Sequence, residues 1–153
     1  MIEVGKKAPA FRLKDQDENT RTLAELAGQW VVLYFYPKDD TPGCTTEACD
    51  FTAGIKKFEK LDAVVLGCSA DDAKSHQKFI KKHSLKIPLL SDPSHATMEK
   101  YGAWGEKNMY GKKSMGIVRT TVVIDERGIV RKIFPKVRVA GHVEQVLELL
   151  ATL

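Results

Sequence analysis

The run Trp30-Val31-Val32-Leu33-Tyr34-Phe35-Tyr36, continued by Pro37-Lys38-Asp39-Asp40-Thr41-Pro42-Gly43-Cys44, decides how this chain is organised. Its first half is apolar almost without a break and rich in β-branched and aromatic residues. A strand without polar alternation is covered on both faces, as central strands of parallel sheets are. Its second half leads into a helix. Thr41 followed by Pro42 is a start signal, with Thr41 as N-cap and Pro42 as the first helical residue.

Outward from this stretch the same character recurs. Ala63 to Cys68 and Thr120 to Ile124 are further apolar, β-branched runs. Helical segments alternate with them: Asp72 to His83 carries Ala73, His76, Ile80 and His83 along one face. Asp92-Pro93 reads as an N-cap followed by a first-turn proline, with Gly102 terminating that helix. Val143, Val146, Leu147 and Leu150 stand at i, i+3, i+4 and i+7, the stripe of an amphipathic helix packed on a sheet. Near the start, Phe11 to Leu13 and Thr20 to Thr22 predict a small hairpin around the turn-rich Asp15 to Asn19. Thr120 to Asp125 and Ile129 to Phe134 flank Glu126-Arg127-Gly128, a short glycine-ended connection expected of an antiparallel hairpin. Parallel βα units followed by a hairpin and a last helix predict an α/β fold of thioredoxin-like order: a mixed central sheet flanked by helices. No repeat or linker interrupts residues 1–153, which are expected to form one domain.

Composition narrows the function class. With 43% apolar and 29% charged residues, the chain can bury a core and is not a disordered sequence. No apolar run approaches ~20 residues, so no membrane-spanning helix is expected. The first residues lack a basic stretch followed by an apolar one, so no secretory signal is read there and the cytoplasm is the expected location. Three cysteines are too few, and odd in number, for a disulfide scaffold. The net charge of +4 is modest, and the pairs Lys56-Lys57, Lys81-Lys82 and Lys112-Lys113 lack interleaved aromatics. They read as solvated surface and not as a nucleic-acid interface.

Cys44 carries the chemistry. On the register set by Thr41 and Pro42 it falls in the first helical turn, where backbone N–H groups have no intrahelical partner. A free thiol titrates near ~8.5, and only the thiolate is a strong nucleophile. Unpaired amides and the positive end of the helix dipole favour that charged form, and an arginine nearby would add to it. A lone cysteine at a helix start is more often structural than catalytic. Zinc is not implied, because no second ligand pair follows Cys44 and Cys49. His76, His83, His95 and His142 do not cluster at ligand spacing and are expected at the core edge or the surface.

With its neighbours, Cys44 resembles a known signature. Pro37, three residues, Thr41, two residues and Cys44 reproduce the peroxidatic-cysteine pattern of peroxiredoxins. Tyr34-Phe35-Tyr36-Pro37-Lys38-Asp39, Ser91-Asp92-Pro93, Tyr101-Gly102 and the segments Pro135-Lys136-Val137 and Gly141-His142 are similar to the bacterioferritin comigratory protein, or PrxQ, subfamily. The resemblance spans essentially the whole chain. It implies that Cys44 is the peroxidatic thiol and that Thr41 supplies a hydroxyl for peroxide or thiolate. Pro42 would shield the site, Arg119 would sit over the sulfur, and Glu47 would hold that arginine. Cys49 occupies the position of the resolving cysteine in one variant of the subfamily. Cys68, which ends a buried strand, reads as a small apolar core residue.

The implied activity is reduction of hydrogen peroxide and organic hydroperoxides. It passes through a Cys44 sulfenic acid and a Cys44–Cys49 disulfide, with thioredoxin or a similar dithiol as donor. No metal, haem, flavin or other cofactor is implied, and the chain is expected to act as a monomer. Two other classes compete. A disulfide oxidoreductase on this fold would place two residues between its cysteines, where this chain has four. A non-catalytic redox sensor would share a reactive cysteine but not turn over, and a nucleic-acid binder would show steeply salt-dependent affinity.

Overall fold

The computed structural model describes residues 2–153. The anticipated first hairpin is β1 (Arg12–Lys14) with β2 (Thr20–Thr22), paired antiparallel. The apolar run is β3 (Trp30–Phe35), and Thr41 and Pro42 open α1 (Pro42–Ala53). At Gly54 the chain breaks into a short second helix, α2 (Ile55–Lys60). There follow β4 (Ala63–Ser69), α3 (Ala73–His83), β5 (Leu89–Ser91) and α4 (Ala96–Lys100). A separate two-stranded hairpin, β6 (Trp104–Met109) with β7 (Lys112–Ile117), precedes β8 (Thr120–Ile124), β9 (Val130–Phe134) and α5 (His142–Thr152).

The main sheet has seven strands in the order β2-β1-β5-β4-β3-β8-β9. The helical crossovers make β3, β4 and β5 parallel neighbours. β8 is as buried as β3, but it runs antiparallel to it. The reason is the route taken after β5. Short α4 and the β6–β7 hairpin keep the chain at the carboxyl edge of the parallel strands, so β8 starts there and runs back. Thr120 accordingly pairs with Phe35, and Arg119 stands beside the end of the central strand.

Alternation along β3 divides the interior in two. Val32, Tyr34 and Tyr36 join Phe51, Phe58, Phe79, Val143, Val146 and Leu150 of the helices on one face. Val31, Leu33 and Phe35 join Phe11, Met98, Tyr101, Val122 and Ile124 on the other. Cys44 belongs to the first core and Cys68 to the second. Gly67 lets the first core close. A Cβ there would lie 2.8 Å from Leu89 and 2.9 Å from the Tyr34 ring, which itself stacks on Phe51 of α1 at 4.6 Å.

Two sequence expectations need correction. Asp92-Pro93 does not start a helix: α4 begins later, with His95 in the left-handed region as its N-cap. Asp92 is buried, and its carboxylate reaches forward to accept the Met98 N–H at 2.9 Å, capping from a distance. His76 and His142 are interior residues, not edge ones, at 0% and 2% exposure. Each has a partner that compensates for burial: Asp39 and the Leu90 carbonyl for His76, Thr121 for His142.

Candidate active site

The site lies where the loop after β3, the start of α1 and the start of β8 meet. Thr41 has the extended backbone of an N-cap (φ −94°, ψ 157°) and Pro42 occupies the first helical position. The first intrahelical bond runs from Thr45 N–H to Thr41 O at 2.8 Å, so the amides of Gly43 and Cys44 precede the ladder. The Thr41 hydroxyl does not cap these amides. It donates to Lys38 O at 2.8 Å, which leaves its oxygen lone pairs available as acceptors. Pro42 is exposed at the rim, and Cys44 is almost fully buried beneath it, at 2%.

Arg119 reaches across from β8. Its Nη2 donates to Cys44 Sγ at 3.3 Å and its Nη1 to Glu47 Oε1 at 2.6 Å. Glu47 is three residues beyond Cys44 on α1, so the two project from neighbouring positions of one helix face. The planar guanidinium can therefore serve both at once. Gly43 permits the approach: a Cβ there would stand 3.3 Å from Nη2.

Burial dominates the electrostatics here. It pushes the Glu47 carboxyl up to about 7, although Arg119 pulls it down. Glu47 Oε2 is buried without a hydrogen-bond partner among the described residues. For Arg119, burial works against the charge, but Glu47 and Cys44 together hold its pKa above the ordinary value. Nearby His142 is driven down to about 4 by burial and by Arg119, and so stays neutral near pH 7.

All six sequence-predicted residues lie on one short stretch plus Arg119, and the structure joins Cys44, Glu47 and Arg119 by direct contacts. Cys49 is half-buried, on the same helix and packed against the first core. Cys44 and Cys49 are both free thiols; five residues of regular helix set them ~7.5 Å apart along the axis and ~140° apart around it. Cys68 is fully buried, and desolvation raises its thiol well above the ordinary range.

Lys107 was not anticipated. Its stem lies along Gly116 of the paired strand, where a Cβ would approach its Cδ to 3.2 Å. Burial lowers its pKa, Arg119 adds to that, and Cys44 opposes it, so the ammonium feels both members of the site. A lysine in a polar hairpin carries no signal of this in sequence, because the approach depends on how the hairpin folds back.

The chain is similar to known proteins over most of its length. The AhpC/TSA family profile matches residues 4–133. The putative peroxiredoxin Bcp of Coxiella burnetii is 49% identical over 146 residues, covering 95% of this chain and 97% of that protein. Peroxiredoxin Bcp of Bacillus subtilis is 46% identical over 149 residues, covering 97% and 95%. In three dimensions the chain is similar to the Xanthomonas campestris bacterioferritin comigratory protein. That structure was described for its alkyl peroxide reduction activity, with a TM-score of 0.91, 41% identity and 98% of each chain covered. A family match over most of the chain, and near-half identity to proteins of equal length, decide the matter: the chain belongs to the AhpC/TSA family, as a peroxiredoxin of the Bcp/PrxQ group and hence a thiol-dependent peroxidase.

Proposed function

We propose that Cys44 is the peroxidatic thiol of this enzyme and that Cys49 resolves it within the same chain. The observation that carries the reading is the Arg119 guanidinium shared between Cys44 Sγ at 3.3 Å and Glu47 at 2.6 Å. A cation fixed beside the sulfur offsets negative charge as it moves from sulfur to the leaving oxygen, and the same group can hold the oxygens of a bound peroxide. The thiolate attacks one peroxide oxygen, the O–O bond breaks, and the departing hydroxide or alkoxide takes a proton to leave as water or alcohol. Cys44 is then a sulfenic acid. Thr41, with a free acceptor oxygen, receives the hydrogen of the bound hydroperoxide, and Pro42 limits solvent access from the rim.

The Cys49 sulfur attacks the sulfenic sulfur, forming the disulfide and releasing water. A dithiol donor of the thioredoxin kind returns both cysteines to thiols by supplying two electrons and two protons. Organic hydroperoxides are included among the substrates, supported by the alkyl peroxide activity of the Xanthomonas relative. Because both cysteines come from α1, the cycle needs no second subunit, which supports a monomer acting as one catalytic domain. Three free thiols suit a reducing cytoplasm.

The test follows consumption of hydrogen peroxide and of an organic hydroperoxide with thioredoxin, its reductase and NADPH as the only reductant. Wild type turns over both. Cys44→Ser loses turnover while remaining folded, and Cys49→Ser stops after one equivalent and over-oxidises. Donor-coupled turnover in Cys44→Ser beyond a trace contradicts the assignment of the nucleophile. Rapid cycling of Cys49→Ser removes Cys49 from it.

A further inference from the structure

Behind the loop that leads into α1 lies a buried polar network whose hydrogen bonds, among the described residues, include neither Cys44 nor Arg119. Its centre is Asp39, whose side chain is 4% exposed, against His76, at 0%. Asp39 Oδ2 meets His76 Nδ1 at 2.7 Å and accepts from the Ser75 hydroxyl at 2.8 Å; Oδ1 accepts from the Tyr36 hydroxyl at 2.6 Å. The Asp39 N–H donates to Asp71 Oδ2 at 2.8 Å, an oxygen that also accepts from Ser69 Oγ at 2.7 Å. His76 Nε2 faces the Leu90 carbonyl at 3.0 Å. The oxygens that face inward are thus already taken by protein donors, which leaves no vacant ligand set for a metal ion.

The network ties the residue two before the N-cap of α1 to α3 and to the ends of β3, β4 and β5. Thr41 extends the tether through its bond to Lys38 O. The C-terminal side of α1 is held differently, by the buried Phe51 ring and by one bond from the Lys86 N–H to Thr52 Oγ1 at 3.1 Å, before Gly54 separates it from α2. A buried, satisfied network of this kind specifies one arrangement and resists all others.

We infer that the Asp39–His76 pair is a latch that holds the start of α1 in its peroxide-reactive arrangement and so sets the balance between peroxide attack and disulfide closure. The inference rests on the Cys44–Cys49 cycle proposed above. Peroxide attack needs Arg119, Cys44 and the first-turn amides in register. Closure needs Cys44 to leave that register. A group that stabilises only the first arrangement speeds the first step and slows the second. His76 is in this sense a positioning residue.

Two substitutions separate the contacts of the ring. An asparagine amide nitrogen falls near the Nδ1 position and can still donate to Asp39; a glutamine nitrogen falls near Nε2 and can still donate to Leu90 O. Stopped-flow measurement of attack and of disulfide closure, with intact mass for over-oxidation, is expected to show opposite shifts in His76→Gln. Attack slows about fivefold, closure accelerates by a comparable factor, and the over-oxidised fraction falls. His76→Asn restores the wild-type balance to within about twofold. Tyr36→Phe removes one hydroxyl from Asp39 without changing the ring's shape, and moves both steps in the same sense as His76→Gln by a smaller factor. Both steps unchanged in His76→Gln and Tyr36→Phe, or both slowed together as general destabilisation would slow them, overturns the latch alone. A wild-type protein that forms no Cys44–Cys49 disulfide overturns the cycle and the latch with it.

Discussion

Arg119 divides one guanidinium between a sulfur and a carboxyl, and each contact constrains the other. Lysine at this position keeps a charge but loses the fork that touches both groups. Arg119→Lys is therefore expected to lower the rate constant for peroxide, measured by stopped flow, by about tenfold or more while leaving the unfolding midpoint nearly unchanged. An unchanged rate constant would show that the contact at 3.3 Å does not matter to the reaction. Glu47 predicts a pH dependence of stability. Its carboxyl is raised from an ordinary 4.5 to about 7, mainly by burial. The folded protein thus holds this proton more tightly than the unfolded chain, so the stabilisation is complete below about 4.5 and is lost as pH rises through about 7. Relative to Glu47→Gln, wild type should lose roughly 3 kcal/mol between pH ~4.5 and ~8, read from denaturant midpoints. A flat difference would contradict it. The place of Cys44 in the first turn of α1 was readable from Thr41 and Pro42, whereas its role and that of Arg119 were suggested only by resemblance. A lone arginine before a strand has no local signature, and its role depends on a pairing between residues far apart in sequence. Gly43 and Lys107 were not readable at all, since each matters through a close approach made by another element.

Among the elements, α1 is the one that the proposed cycle must disturb. Two thiols ~140° apart around a helix do not point at each other, and a disulfide needs Cα atoms within ~7 Å with converging Cβ vectors. For the proposed Cys44–Cys49 disulfide to form, the helix must open between Cys44 and about Phe51. The break at Gly54 gives that opening a boundary. Amide exchange over this segment should be faster in the disulfide form than in the reduced form, and Cys49→Ser treated with one equivalent of peroxide should not change. Equal protection in the two redox states would rule the opening out. The long apolar strands, α3, α5 and the β8–β9 hairpin were all legible, because continuous apolar runs and a 3.6-residue stripe are strong signals. The β6–β7 hairpin was not: Trp104 to Ile117 is lysine- and glycine-rich with no apolar alternation, and it pairs only with itself. Asp92-Pro93 misled because its carboxylate caps from three residues outside the helix, which imitates an N-cap in sequence.

For the molecule as a whole, the central sheet is both scaffold and partition. Cys44 and Cys68 lie in cores on opposite faces of it, and Cys68 pairs with Phe35 inside the ladder. The sheet stands between these two sulfurs. Cys68→Ser should keep turnover per folded molecule and lose about 1–3 kcal/mol of stability, because a hydroxyl replaces a thiol in an apolar setting. A loss of turnover at unchanged stability would contradict a purely structural Cys68. The two-sided sheet was legible from the unbroken apolar character of Trp30 to Tyr36, but which cysteine fell on which side required the register. The proposed cycle runs between two thiols of one helix, and peptide mapping without reductant reads it out. Protein treated with one equivalent of peroxide and blocked for free thiols is digested, and its linked peptides are identified by mass. A Cys44–Cys49 link within one chain is expected, with Cys68 recovered as the blocked thiol; a link from Cys44 to Cys68, a link between chains, or a blocked Cys49 beside an oxidised Cys44 would overturn the proposed cycle.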